Sequence, residues 1–372
     1  MAQIHPRLVL KDGSAFEGTS FGFKGSVAGE VVFNTGMVGY PESLTDPSYQ
    51  GQILVLTYPL IGNYGVPAPK TQSGLVANFE SERIQIAGLV IADYSTEYSH
   101  WSAVKSLGAW LKEEKIPGLA GIDCRAVTKR LREKGVMVGK IITNNKDIPL
   151  FDPNRENLVE RVSVKEPVVY KSGKRRVALL DCGVKHGIIR NFLDRGVTVV
   201  RFPWDYPIFD NGDSFDALVI SNGPGDPKMV DRTIRTIKDA LQYSLPILGI
   251  CLGNQLLALA VGAETYKLKY GHRSQNQPAV LVAGTTGATT GGSGPTEAVG
   301  RCYITAQNHG YAVSDESLPE GYQVWFRNAN DGTNEGIRHR KRPVMSVQFH
   351  PEVSPGPMDT GFIFDEFLSY VR

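Results

Sequence analysis

The sequence has few cysteines, and their positions match neither a disulfide framework nor a zinc-binding motif. Among 372 residues there are four, Cys124, Cys182, Cys251 and Cys302, with no CxxC spacing and no histidine pair beside them. Disulfide-stabilised domains and zinc sites of the common kinds need cysteines at short, paired spacings. We therefore expect free thiols in a reducing compartment, one of them a candidate nucleophile, and no metal site.

The chain also lacks an excess of either charge and any long hydrophobic run. Forty basic and 38 acidic side chains leave a net charge of +2, which gives no electrostatic footprint for nucleic acid or an anionic membrane. No apolar run approaches the roughly 20 residues that span a bilayer, and the first ten residues match neither a signal peptide nor a transit peptide. The resulting expectation is a cytoplasmic protein.

Length and patterning predict two domains, the first over residues 1–150. With about 150 residues in a typical domain, the length of the chain favours two domains. Short apolar runs separated by turn signals fill 7–60, including a hairpin at the Asp-Gly pair 12–13. Helical spacing follows at 102–115 and 123–135. The first domain is therefore predicted to be a strand-rich mixed α/β domain.

The second domain is predicted over residues 175–372, after a polar linker at 151–174 with its boundary near Ser172. From 175 to 263 apolar runs of strand length alternate with helical segments, which is the pattern of βαβ units. It predicts an α/β fold with a doubly wound, mostly parallel sheet whose sites lie at the carboxyl ends of strands. A Gly/Thr-rich stretch at 284–296 is expected to form a mobile surface loop.

A cysteine lies between an apolar strand and a helix in the segment PILGICLGNQLLALA. This strand, turn and helix order is the geometry of a nucleophile elbow, in which Gly249 and Gly253 permit the tight turn. A thiol at a helix N-terminus is biased toward thiolate, and the adjoining N–H groups can stabilise an oxyanion. The alternative interpretation of Cys251 is a buried core cysteine.

Two further segments end apolar strands with polar residues. His350 and Glu352 stand at the end of the first segment, PVMSVQFHPE. His350 could act as a base, and the Glu352 carboxylate could hold the histidine in one tautomer. The alternative interpretation is that both residues are incidental to the end of a strand. SNGPGDP, at 221–227, could present backbone N–H groups to an anion. It matches neither GxGxxG nor the P-loop, so it argues against a nucleotide site.

Taken together, these segments resemble the class I, triad-type glutamine amidotransferases, whose marks are a GxCxGxQ elbow and an FHPE strand end. The region GEVVFNTGMVGYPESLTDPSYQGQILVLTYPLIGNYG at 29–65 is similar to the N-terminal domain of carbamoyl-phosphate synthetase small subunits, and ITAQNHGYAV and SPGPMDT extend the resemblance over nearly the whole chain. It is nearest to the eukaryotic kind, a separate glutaminase subunit or the first part of a multifunctional pyrimidine-pathway polypeptide.

The resemblance implies that Cys251 attacks the glutamine side-chain amide, with His350 as general base and then acid and Glu352 orienting it. A glutamyl thioester and ammonia would result. Backbone N–H groups of Leu252 and of the Gly225 turn would form the oxyanion hole.

The resemblance also implies a set of glutamine-binding residues: Ser48, Gly223, Gly225, Leu252, Gln255, Asn308, Gly310 and Tyr311. From the sequence alone, the alternative interpretation of Ser48 is a turn residue, and that of His309 is a structural histidine. Asn254, Gln275 and Met358 stand where many relatives carry histidine.

Ammonia would pass to a synthetase large subunit, or to fused synthetase domains, making carbamoyl phosphate from bicarbonate and ATP for pyrimidine or arginine synthesis. ATP and its metal would be bound there, so no cofactor is expected in this chain. Two alternatives remain open at this point: a stand-alone cysteine amide hydrolase, and a catalytically silent regulatory or scaffold subunit.

Overall fold

The computed structural model describes residues 5–144, 146–209, 214–282 and 299–371. The chain divides into two compact units between Leu158 and Val159, earlier than the predicted boundary near Ser172. The stretch at 284–296, predicted to be a surface loop, lies outside the described residues.

The first unit is built on an eight-stranded sheet in the order β2-β1-β14-β4-β5-β10-β13-β3, with parallel pairing from β4 through β13 and antiparallel pairing elsewhere. It is a strand-rich mixed α/β unit, as predicted. Its strands are β1 (Arg7–Leu10), β2 (Ala15–Glu17), β3 (Thr19–Ser20), β4 (Val27–Asn34), β5 (Gln52–Leu56), β6 (Leu60–Ile61), β7 (Val66–Pro67), β8 (Thr71–Gln72), β9 (Leu75–Val76), β10 (Gly88–Val90), β11 (Asp93–Tyr94), β12 (Ala103–Lys105), β13 (Gly118–Ala120) and β14 (Met137–Ile142). Its helices are α1 (Tyr40–Thr45), α2 (Leu107–Glu113) and α3 (Cys124–Lys134).

The local sequence explains where the two longer helices of this unit begin. Asp123 accepts a hydrogen bond from the Ala126 N–H at 2.8 Å and so caps α3. The helix predicted over 102–115 is shorter than expected: Ser106 caps α2, and the residues before it pair as β12 with β7. The spacing of apolar residues did not reveal the strand, because β12 runs into the capped helix with no turn signal between them.

The second unit contains one ten-stranded sheet in the order β15-β17-β16-β18-β19-β24-β23-β22-β20-β21. Its strands are β15 (Val168–Tyr170), β16 (Arg176–Asp181), β17 (Thr198–Pro203), β18 (Ala217–Ile220), β19 (Ile247–Ile250), β20 (Thr265–Leu281), β21 (Cys302–Val313), β22 (Tyr322–Asn328), β23 (Asn334–His339) and β24 (Val344–Val347). Its helices are α4 (Val159–Val162), α5 (His186–Asp194), α6 (Asp231–Ala240), α7 (Leu252–Ala260) and α8 (Phe362–Leu368).

The centre of this sheet confirms the predicted doubly wound α/β fold. Strands β17, β16, β18, β19 and β24 pair in parallel, and their side chains are almost all buried, as expected for a sheet covered by helices. The sheet is mixed, however, because β15 and β20 to β23 add antiparallel strands. Bulges between β20 and β21 interrupt the alternation of apolar and polar residues in these two strands. The sequence pattern therefore did not predict them.

The predicted linker at 151–174 contains regular structure. It includes α4 and β15, and β15 pairs antiparallel with β17 at the edge of the sheet. Val168 and Val169 are exposed there while Tyr170 is buried, so the strand is held by backbone pairing more than by an apolar pattern. No helix among the described residues is long and apolar enough to cross a membrane.

Candidate active site

Cys251 occupies a strained turn between β19 and α7. Its φ is 54° and its ψ is −103°, a conformation that costs a non-glycine residue about 1–3 kcal/mol. A Cβ on Gly253 would collide with the Ile220 carbonyl oxygen, and one on Gly249 would lie 2.5 Å from the Gly253 oxygen. The two glycines therefore let the chain turn close to β18 and hold the cysteine in this conformation.

A histidine and a glutamate follow β24, the strand beside β19. The parallel pairing of these strands puts their carboxyl ends at one edge of the sheet, and Cys251 lies close enough there to act on the pKa of His350. His350 donates from Nδ1 to Glu352 Oε1 at 2.7 Å. Its buried Nε2 has no hydrogen-bond partner among the described residues and is the ring nitrogen left for the thiol. The His350 N–H donates to the Ala306 oxygen at 2.9 Å, so β21 fixes the backbone.

A buried lysine completes this group, and the sequence analysis missed it. Lys185 Nζ lies 2.7 Å from Glu352 Oε1 and donates to the Ser354 carbonyl at 2.6 Å. Lys185 follows β16, whose carboxyl end is at the same edge of the sheet as that of β19. The available signal was a lysine in the turn that follows a buried parallel strand ending at Asp181, a position where substrates and catalytic groups meet.

The charges of this buried group set its protonation. Burial by itself lowers the pKa of His350, but the Glu352 carboxylate outweighs it, and the pKa rises to about 10. Burial likewise raises the pKa of Glu352, yet Lys185 and His350 together lower it to about 2. The carboxylate stays ionised and the imidazole favours its protonated form.

The glycine-rich turn after β18 lies beside the elbow. A Cβ on Gly223 would collide with the Cys182 carbonyl oxygen and lie 2.8 Å from the Leu252 side chain. Asn222 accepts from the Lys185 N–H at 3.0 Å, and Gly225 has a φ of 87°. The structure thus brings Gly223 close to Leu252.

The NHGY segment of β21 contacts both the elbow and its helix. The Cys251 thiol donates to the Asn308 carbonyl oxygen at 3.6 Å. Gln255 Nε2 donates to the Tyr311 carbonyl at 3.0 Å, and a Cβ on Gly310 would lie 3.2 Å from an Arg273 nitrogen. Asn308 therefore lies against Cys251, and Tyr311 lies against the helix that follows it.

Ser48 belongs to the first unit, in a 3₁₀ turn at Pro47–Tyr49 whose N-terminus is capped by Asp46. It is buried, and it matches the turn interpretation. Its part in glutamine binding stays a prediction.

Asn254, at a position where the resemblance implies histidine in many relatives, is fully buried and well paired. Its Nδ2 donates to Gln348 Oε1 at 3.0 Å, and its Oδ1 accepts from the Ser346 hydroxyl at 2.7 Å. Asparagine therefore fits this position as a link between α7 and β24. Met358, at another such position, is exposed.

Comparison with known proteins identifies both units. Residues 178–370 match the family "Glutamine amidotransferase class-I", and residues 8–141 match "Carbamoyl-phosphate synthase small chain, CPSase domain". The chain is 48% identical to the carbamoyl phosphate synthase arginine-specific small chain of Neurospora crassa, over 98% of this chain and 79% of the relative. It is 50% identical, over 98% of its length, to multifunctional protein pyr-3 of Neurospora crassa and multifunctional protein CAD of Squalus acanthias.

The chain spans only 21% and 16% of these two multifunctional proteins. Solved structures show a more distant likeness, for example a glutamine amidotransferase from Thermotoga maritima at 20% identity and a TM-score of 0.37, covering 48% of this chain and 76% of that one. The family matches and the small-chain relatives show that this chain belongs to the carbamoyl-phosphate synthase small-chain family and carries a class-I glutamine amidotransferase domain, the glutaminase component of that enzyme.

Proposed function

We propose that Cys251, His350 and Glu352 hydrolyse glutamine through a glutamyl thioester. The sulfur attacks the side-chain amide carbon, the C–N bond breaks, and the His350 imidazolium gives its proton to the departing ammonia. Neutral His350 then takes a proton from water, whose oxygen attacks the thioester carbon. The C–S bond breaks, and glutamate and the free thiol are released.

The observation that carries this proposal is the convergence of three strand ends on one buried group. A nucleophile in a strained elbow interacts with an imidazole whose other nitrogen bonds to a carboxylate at 2.7 Å. This is the nucleophile, base and orienting-group arrangement required for covalent catalysis of acyl transfer. Lys185 acts as a positioning residue that keeps Glu352 ionised.

In this proposal the Leu252 and Gly225 N–H groups stabilise the oxyanion. Glutamine is held by the remaining predicted binding residues, which are Ser48, Gly223, Gln255, Asn308, Gly310 and Tyr311. A buried amino acid needs polar partners for both its ammonium and its carboxylate, because each is costly to desolvate alone.

We further propose that ammonia passes to a synthetase, either a large subunit or fused domains, that makes carbamoyl phosphate from bicarbonate and ATP. This rests on the names of the relatives, which include both arginine-specific small chains and multifunctional fusions. Pyrimidine or arginine synthesis would use the product. The proposed compartment is the cytoplasm, and ATP with its metal would be bound by the partner.

The test is glutamine hydrolysis by the wild-type chain and by Cys251→Ser, each with and without a carbamoyl-phosphate synthetase large subunit, following glutamate and ammonia. We expect Cys251→Ser to lose at least about 10³-fold in kcat and the partner to stimulate the wild type. Hydrolysis that persists in Cys251→Ser would overturn the mechanism. An inert wild type that still binds the partner would favour a scaffold role, and an active chain without any partner association would favour a stand-alone hydrolase.

A further inference from the structure

Two histidines and a glutamate form a buried cluster next to the proposed active site that the glutaminase reaction does not use. They come from three strands of the antiparallel part of the sheet: His272 from β20, His309 from β21 and Glu335 from β23. One ligating atom of each lies within 4.8 Å of the others. His272 and His309 are direct cross-strand partners, so their side chains share one face of the sheet.

The hydrogen bonds around His309 lack one donor: both of its ring nitrogens face oxygen atoms that can only accept. Thr305 donates to the Gln277 carbonyl, so its hydroxyl oxygen accepts from Gln307 Nε2 at 3.0 Å. That fixes Gln307 Oε1 toward His309 Nε2, at 3.1 Å, while His309 Nδ1 faces the Tyr311 carbonyl oxygen at 2.9 Å. Both ring nitrogens therefore face acceptors, and a neutral imidazole has only one N–H to donate.

The distances favour one tautomer of a neutral His309. Nδ1 makes the shorter contact, 2.9 Å to the Tyr311 carbonyl oxygen, and donates its N–H there. Nε2, 3.1 Å from Gln307 Oε1, then carries no proton and keeps a free electron pair.

The glutamate and the second histidine present unused ligand atoms as well. Glu335 is fully buried, and its Oε2 has no hydrogen-bond partner among the residues that the structure describes. His272 Nδ1 lies 3.3 Å from Glu335 Oε1, and its Nε2 lies 2.8 Å from the Asp331 carboxylate. Ligand atoms bound to one tetrahedral zinc at 2.0–2.1 Å are about 3.3–3.4 Å apart, and zinc-binding histidines usually donate their other N–H to a carboxylate.

We propose that His272 Nδ1, His309 Nε2 and the Glu335 carboxylate form a binding site for a divalent cation of the zinc type. Two imidazoles and one carboxylate are a donor set that Zn²⁺ and Co²⁺ accept. Asp331 orients His272 from outside the site. The ion joins β20, β21 and β23, and so holds in place the strand that carries Asn308 and Tyr311.

The test is metal binding by the full chain with Cys251→Ser as background, which removes the candidate nucleophilic thiol as a competing ligand. After chelator treatment, Co²⁺ is titrated by visible absorption and Zn²⁺ by calorimetry. We expect one ion per chain with a tetrahedral Co²⁺ spectrum. Adding Glu335→Gln or His272→Asn should weaken binding by about 100-fold or more, and Asp331→Asn by about 10- to 100-fold.

A matched control is His339→Asn, which removes a histidine of the same unit that lies outside the cluster. It should leave the stoichiometry and affinity unchanged. Glu335→Gln keeps the side-chain size, and Asp331 is partly exposed, so thermal unfolding can verify that these variants fold. Absence of a bound ion, or binding that survives both Glu335→Gln and Asp331→Asn, overturns the site and means that His272 is held between its carboxylates by a proton. These readouts do not depend on glutamine hydrolysis.

Discussion

The sheet of the second unit has two parts whose strands run differently, and each part positions side chains in its own way. In the parallel part, Lys185 follows β16, the glycine turn follows β18, Cys251 follows β19 and His350 follows β24. In the antiparallel part, Asn308 and its neighbours lie within β21 and are placed by pairing with β20.

This difference separates two tasks. Parallel strands bring several chain segments together at their carboxyl ends, so residues far apart in sequence meet in one small volume. Antiparallel pairing instead places side chains opposite each other at a fixed register. The parallel part therefore supplies the proposed chemistry, together with Gly223 and Gln255. The antiparallel part supplies the proposed glutamine contacts of the NHGY segment in β21 and the proposed cation site.

The substitution expected to have the largest effect on the parallel part of the sheet is Gly253→Ala, in the turn that holds Cys251. The added Cβ would collide with the Ile220 carbonyl oxygen, and backbone cannot move aside as a flexible side chain can. We expect glutaminase activity to fall by about 10³-fold or more, or the unit to lose several kcal/mol of stability. Urea unfolding and steady-state kinetics measure the two effects.

The control for that variant is Gly361→Ala, at a glycine with a helical φ of −57° whose Cβ would come no nearer than 3.9 Å to any atom of its surroundings. Its kinetics and stability should stay near those of the wild type. Equal effects of the two substitutions would contradict the elbow interpretation.

Glu352→Gln should have the next largest effect, because it removes the carboxylate that faces the buried Lys185 charge. We expect a loss of about 3–5 kcal/mol in the free energy of unfolding and about 10²- to 10⁴-fold in kcat. The pKa of Glu352 is lowered to about 2, so its stabilisation is present above about 4.5 and lost as pH falls toward 2. The stability gap between wild type and variant should therefore shrink as pH falls through that range.

Urea unfolding at pH 7 and at steps down to about pH 3 measures this gap, with the exposed Glu264→Gln as the matched variant. A gap that does not depend on pH would mean that Glu352 is not held ionised by its neighbours.

Lys185→Met should have a smaller effect that appears in the pH profile. Lys185 lowers the pKa values of both His350 and Glu352, so its removal raises both. The acid limb of kcat/KM should move to higher pH, with kcat down by about 10- to 100-fold. The comparison variant is Lys238→Met, at an exposed lysine of α6. A uniform loss of rate at every pH would indicate a merely structural role.

The antiparallel part is tested by Gln255→Leu, which removes the hydrogen bonds from α7 to the Tyr311 carbonyl and to Gln348. We expect KM for glutamine to rise about tenfold while kcat changes by less than about threefold, since binding is affected more than chemistry. Gln242→Leu, at an exposed glutamine, should change neither. A selective fall in kcat would mean that the two parts of the sheet do not divide the tasks in this way.

Much of this arrangement was predictable from the residues. The strand and helix signals around Cys251 and the apolar run before His350 placed both at the ends of buried strands, and the family matches of both units agree with the motifs. The antiparallel strands were not predicted, because bulges in β20 and β21 disrupt simple alternation. Lys185 was missed because a lone lysine has no motif of its own.

Local sequence was enough to specify which residue types follow each parallel strand, and thereby the family and the elbow, because those signals lie within a few neighbouring residues. The pairing of Lys185 with Glu352, and the meeting of His272, His309 and Glu335, became visible in the folded chain alone. These contacts join strands that are distant in the chain, and their register comes from sheet pairing and burial, which no local spacing encodes.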